Sequence, residues 1–260
     1  LVEKDTMFMH GKKIIVSGPQ EDRVIRAFNN VRFYKSDMSG KCDSLHSSTK
    51  NELTQLIGKP VLWNNENQMT GNVMHLIGNN ETEKLDSLKV LNNAFIIQKD
   101  SLSKNGFNQM KGQNLFGRFE ENKLKEVDII KNAESIYYIY NDKNEFVGIR
   151  KSVCSRINLE MNENKIETMT GFNNTESNIY PDNEFPENAR KLRGFAWRGD
   201  ERILSKENIF PEEELAIDAK VQIDAKKKAI ESEKPMEIQK ETLEYDEKNP
   251  KPKDKTVKKL

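Results

Sequence analysis

The chain has no excess of either charge: 42 basic residues balance 42 acidic ones across 260 positions. No net field therefore draws it to nucleic acid or repels it from a membrane. Long hydrophobic runs are also missing, so no segment reads as a membrane-crossing helix. Cysteine is scarce. Cys42 and Cys154 are the two in the chain; they form no CxxC, and spacing alone leaves open whether they pair. The three histidines, His10, His46 and His75, are scattered with no HExxH or HxH context, which argues against a metal centre. A GxSxG elbow, a P-loop and a GxGxxG are all absent, and Ser44 has no base beside it in sequence. Asp37, Asp43, Asp86 and Asp128 could pair across strands as acid and base, but such residues usually sit on solvated strand faces. Basic residues are not interleaved with aromatics as a nucleic-acid stacking platform would require. The expectation is a protein that is not an enzyme, with no cofactor, no metal and no nucleic-acid partner.

Apolar residues are also sparse, at 35% with a mean hydropathy of −0.82, and part of that deficit lies at the C-terminal end. The chain opens at Leu1 with neither an initiator Met nor a signal peptide, as a mature protein or a piece of a longer one would.

What is present, from the start to about residue 180, is a succession of short β-like runs. They include Ile14-Ile15-Val16, Val31-Arg32-Phe33-Tyr34, Val61-Leu62-Trp63, Phe95-Ile96-Ile97, Val127-Asp128-Ile129 and Ile136-Tyr137-Tyr138-Ile139-Tyr140. Polar breaks such as Asn64-Asn65-Glu66-Asn67, Gly78-Asn79-Asn80, Glu120-Glu121-Asn122 and Asn141-Asp142-Lys143-Asn144 separate them. Strands of this length at this spacing read as antiparallel hairpins. No stretch before residue 180 sustains a helical apolar period.

The runs repeat. Asn67-Gln68-Met69-Thr70-Gly71 has a near copy at Asn108-Gln109-Met110-Lys111-Gly112. Lys84-Leu85 followed by Asn92-Asn93-Ala94 is matched by Lys123-Leu124 followed by Lys131-Asn132-Ala133, and Lys165-Ile166 begins the pattern again. A period of about 40 residues means stacked supersecondary units that bury apolar surface against one another. With no Trp-Asp signature and too few copies to close a propeller, the expected fold is all-β, an open stack of antiparallel hairpins.

Alternation places Ala27, Val31 and Phe33 on one face with Asn29, and likewise pairs Val61 with Trp63, Phe95 with Ile97, and Val127 with Ile129. Ile157, Leu159 and Met161 share a face too. Ile136 and Tyr138 join the set, although Tyr137 and Ile139 leave their phase open. Stacked, these residues would form one apolar stripe, either a filled core or an accessible groove. After Pro211 about half of the residues are charged, and Pro235, Pro250 and Pro252 interrupt the segment. Residues 1–203 are therefore expected as the β domain and 204–260 as a charged tail, helical over 212–233 and otherwise disordered.

One ordered set of motifs is more specific. Asn30-Val31-Arg32-Phe33-Tyr34-Lys35-Ser36-Asp37-Met38 runs into Gly40-Lys41-Cys42-Asp43-Ser44-Leu45. Lys59-Pro60-Val61-Leu62-Trp63 and the two Asn-Gln-Met motifs follow, then Val147-Gly148-Ile149-Arg150 and Leu192-Arg193-Gly194-Phe195-Ala196-Trp197-Arg198. Over roughly residues 5 to 203 this set resembles the OstA-like (LptA-type) family of lipopolysaccharide-transport proteins, in its Bacteroidetes form. The resemblance implies an open β-jelly-roll in the periplasm, associated with the outer membrane, that takes lipopolysaccharide or a related glycolipid as cargo. It also implies edge-strand pairing with other jelly-roll transport components and with an outer-membrane translocon. The groove lining would then be Val31, Phe33, Val61, Trp63, Phe95, Ile97, Val127, Ile129, Ile136 and Tyr138.

An acyl chain of about a dozen carbons costs on the order of 10 kcal/mol to expose to water, which such a groove would remove. Some seven rungs would give a groove of roughly 30 Å. Two other readings stay open: an envelope scaffold with a solid core, and a polysaccharide-processing enzyme on a β-solenoid.

Overall fold

The alternating runs fold into fourteen β-strands in the computed structural model, which describes residues 6–211 except 83, 104, 163 and 164, together with Lys220, Ile223 and Lys226. The strands are β1 (Phe8–His10), β2 (Lys13–Ser17), β3 (Val24–Lys35), β4 (Met38–Ser48), β5 (Leu53–Ile57), β6 (Val61–Asn64) and β7 (Asn67–Thr70). They continue with β8 (Val73–Asn79), β9 (Lys84–Lys99), β10 (Phe107–Glu120), β11 (Lys123–Tyr140), β12 (Phe146–Asn162), β13 (Lys165–Phe172) and β14 (Glu176–Tyr180). All pairings among them are antiparallel. Between residues 6 and 211 the described residues include no α-helix, only short 3-10 turns.

The long strands β3, β4, β9, β10, β11 and β12 each serve two leaves. In the first leaf the order is β2-β3-β4-β5-β8-β9-β10-β11-β12-β13; in the second it is β1-β3-β4-β6-β7-β9-β10-β11-β12-β14. Ten rungs per leaf replace the seven expected, and at about 4.8 Å per rung the stack extends roughly 43 Å. The undercount arose because each of the six long strands supplies a rung to both leaves and is counted once when strands are divided between two sheets.

The corner between leaves explains the repeated Asn pairs. Asn29 and Asn30 in β3 lie at φ 63° and 56°, Asn92 and Asn93 in β9 at 59° and 56°, and Lys131 and Asn132 in β11 at 65° and 54°. Asn173 and Asn174, at 56° and 50°, make the same corner between β13 and β14. Asn tolerates the left-handed region better than other residues with a Cβ, because its short amide bonds locally. At these points two residues on one strand face fewer on the next: the register passes from Phe28↔Ser44 to Val31↔Cys42. Such a bulge bends the strand sharply. Asn29 is therefore exposed at the corner and does not share the buried face of Ala27, Val31 and Phe33. The repeat of about 40 residues is one long hairpin that climbs from the first leaf over the corner to the second and returns. Lys84, Lys123 and Lys165 begin β9, β11 and β13 on the same rim.

Folded at the corner, the leaves enclose one apolar cluster. The first leaf contributes Ala27, Leu45, Leu56, Met74, Leu88, Leu115, Leu124, Val127, Ile129 and Ile157; the second contributes Val31, Phe33, Leu62, Met69, Ile96, Met110 and Ala133. Gly40 is required here, since a Cβ on it would lie 2.4 Å from the Phe33 ring.

This body ends at Ile209, and Phe210–Leu260 make up a second unit. Within that second unit Lys220, Ile223 and Lys226 are helical and exposed. Of the tail expected over 204–260, residues 204–211 are described and carry a 3-10 turn at Lys206–Ile209, and apart from Lys220, Ile223 and Lys226 the rest lies outside the described residues.

Candidate functional site: a rim cleft and a strapped outer face

The ten expected lining residues do not form one stripe. Val31, Phe33, Val127 and Ile129 lie in the cluster between the leaves. Phe95, Ile97, Ile136 and Tyr138 belong to a second cluster, with Ile149, Phe185 and Leu192. Val61 and Trp63 point the same way as this second group, because their neighbour Leu62 faces inward and their cross-strand partners include Gln68. The correction has a physical cause: the central strands of the second leaf are apolar on both faces, so local alternation cannot say which face is inside. In β11, continuing the parity of Val127 and Ile129 through the corner selects Ala133, Ser135 and Tyr137 as inward, and leaves Ile136 and Tyr138 outward.

What covers the outer face is residues 181–209, a strap with 3-10 turns at Asp182–Glu184, Glu187–Ala189, Gly199–Glu201 and Lys206–Ile209. Sequence periodicity gave no sign of its role, because the strap has neither strand nor helix period. The two repeated glutamines hold it. Gln109 Nε2 donates to the Arg190 carbonyl at 2.7 Å, while Leu192 N–H donates to Gln109 Oε1 at 2.9 Å. Gln68 Nε2 donates to the Ala196 carbonyl at 2.7 Å, and Arg198 N–H donates to Gln68 Oε1 at 2.6 Å. Each amide thus replaces one rung of a β-ladder, and both glutamines are fully buried. Gln68 and Gln109 flank Ile97 on adjacent strands, which explains why the motif recurs.

Between the two clasps, Phe195 packs edge-on against Phe95 and Phe107, with centroids 6.4 and 5.3 Å away, and Trp197 lies 5.3 Å from Phe107. At the far end Glu201 receives the Lys41 ammonium at 2.6 Å and the Arg198 guanidinium at 2.8 and 2.9 Å. The bonds from Arg198, aided by Lys41, pull its carboxyl down to about 2.

The interior cluster reaches solvent along the rim opposite the corner. There a cleft of about 350 Å³ has Met38 of the second leaf and Leu76 of the first in its walls, with Met7, Leu53 and Leu85 beside them. Elsewhere the interior is filled by its own side chains, among them Leu56, Met69, Met74, Leu88, Leu115 and Leu124, all fully buried. Cys42 and Cys154 are free thiols buried in this cluster, and burial pushes Cys42 up to about 12.

The candidate acid and base groups do not converge. Asp128 is paired with Arg156 at 2.7 Å and accepts from Asn158 at 3.0 Å. His46 and His75 come together through Gln55, whose carboxamide lies 3.5 and 3.1 Å from the two rings. Among the described residues no group of three or more His, Cys, Asp or Glu side chains is placed to hold a metal ion.

No protein-family model and no curated protein matches the chain. Its structure is similar to that of LptH from Pseudomonas aeruginosa, described as the LptA homologous periplasmic component of the conserved lipopolysaccharide transport device. The TM-score is 0.42 and the identity 14%, over 56% of this chain and 99% of that one.

Proposed function

We propose that the chain is a segment of a periplasmic lipopolysaccharide-transport bridge or adaptor of the OstA-like family, in its Bacteroidetes form. Acyl chains occupy the trough between the leaves and the sugars stay in water outside its mouth. The observation that carries this reading is the rim cleft, where Met38 and Leu76, themselves nearly buried, put the edge of the apolar interior in the wall of a solvent-open cavity. The ordered motifs supply the class of cargo. Val31, Phe33, Val127 and Ile129 lie in the packed core beneath the cleft and part to admit an acyl chain, while Val61, Trp63, Phe95, Ile97, Ile136 and Tyr138 hold the strap.

Partners join at the ends of the stack. Among the described residues β2 pairs with β3 alone, and β13 and β14 pair with β12 alone, so each end keeps an unpaired strand edge. Such an edge is a template for another jelly-roll component or for an outer-membrane translocon.

The filled interior favours a second reading, an envelope scaffold with a packed core. Photo-crosslinking with lipopolysaccharide separates the two. A crosslinker at Met38 or Leu76 is expected to capture the lipid, and one at Trp63 or Phe95 is not. Labelling at none of these positions, with no glycolipid retained in native mass spectrometry, supports the scaffold.

A further inference from the structure

A cleft of about 870 Å³ lies where the strap meets the rim of the second leaf, on the outer face. Its walls carry four aromatic rings, Phe107, Tyr138, Tyr140 and Phe146. Phe146 packs 6.2 Å from Tyr138 and 5.6 Å from Tyr140, both inclined, and is itself 40% exposed. Leu102, 52% exposed, forms part of the lip. Exposed apolar rings beside fixed polar groups are the usual make-up of a ligand site.

The polar groups are held in place. Tyr140 O–H donates to Asp100, which also accepts from Ser103 N–H at 2.8 Å. Arg190 is pinned between Asp182 at 2.7 Å and Glu187 at 2.9 Å. Lys191 completes the charged set of the lining, which is two cations against two anions. The lining itself thus carries no net charge to select an ion, Asp100 being engaged behind it by Tyr140 and Ser103, and it alternates flat apolar faces with pre-oriented donors and acceptors.

We infer that this cleft binds an uncharged saccharide of about two pyranose rings. The C–H faces of a pyranose match the aromatic walls, and its hydroxyl edges match the Arg190–Asp182–Glu187 set. Neutrality disfavours the quaternary-ammonium ligands that aromatic cages otherwise take. The site is independent of the trough: Tyr138 belongs to the outer cluster, Phe107 and Tyr140 pack against it, Phe146 packs on both tyrosines, and occupancy does not require acyl chains inside.

The test is saturation-transfer NMR and calorimetry on the full chain with the N-acetylglucosamine β-disaccharide, cellobiose and maltose, and with benzyltrimethylammonium as a cationic probe. At least one disaccharide is expected to bind in the millimolar range or tighter. Phe146→Ala should weaken it about tenfold, Phe146→Trp should retain it, and Ile179→Ala, on an exposed strand away from the cleft, should leave it unchanged. The inference is overturned if no disaccharide binds, if Phe146→Ala binds as well as the parent chain, or if the ammonium probe alone binds.

Discussion

The core between the leaves, proposed above as the acyl trough, and the outer face beneath the strap are both apolar, but they are built in opposite ways. The trough is assembled by repetition, each rung adding one or two inward side chains such as Leu88, Leu115 or Val127. The outer face is closed once, by a single unrepeated segment held through Gln68 and Gln109. A repeated interior distributes its stability over nearest neighbours. A strap concentrates its attachment in a few bonds and can open as a local unit. The comparison teaches that burial alone does not tell the two faces apart, since the central residues of both are buried.

The largest expected effect that would sharpen this contrast is on the trough. Phe33→Ala should cost about 3–5 kcal/mol in denaturant unfolding and speed amide exchange in every strand. If the loss stays confined to β1, β3 and β4, the rungs are less coupled than the fold implies. Next comes the strap. Gln68→Ala or Gln109→Ala leaves two backbone groups unpaired and should cost about 1–3 kcal/mol each, with faster exchange over 181–209 and little change in the trough strands. If the strap leaves as one unit, the double variant costs less than the sum of the singles.

The corners rank third. Asn93→Val forces a branched side chain into the left-handed region and should cost about 1–2 kcal/mol, whereas Asn93→Gly is expected to be near neutral. Equal effects of the two would remove the corner argument. The smallest effect is on the tether at Glu201. Its folded pKa lies below the ordinary value of 4.5, so its contribution is complete above about pH 4.5 and is lost as pH falls toward about 2. Amide protection at the strap's far end, taken relative to the intrinsic exchange rate at each pH, should fall over that window in the parent chain and change less in Glu201→Gln. The Glu201 side chain is substantially exposed, so solvent screening keeps this effect small.

How much was legible divides along the same line. Strand content, hairpins and the repeat follow from local alternation and turn chemistry, and the facing pairs Val31/Phe33, Val127/Ile129 and Ile157/Leu159 share faces as expected. The phase of Phe95/Ile97 and Ile136/Tyr138 could not be read locally, because Ala94 and Ile96 alternate with the first pair and Tyr137 and Ile139 with the second. Gln68 and Gln109 were visible as a repeat but not as clasps, since their partners lie 128 and 81 residues away. The corners were written in the Asn pairs, yet the same pairs read equally well as hairpin turns.

The sequence by itself determined an all-β, repeat-built chain, because period-two alternation and left-handed asparagines are local properties of the backbone. Only the tertiary structure decided which apolar face is the inside, because that depends on where the strap lies, and the strap has no period to announce it. The same long-range packing gathers the aromatic rings of β10, β11 and β12 with Arg190 into a cleft that no sequence window contains.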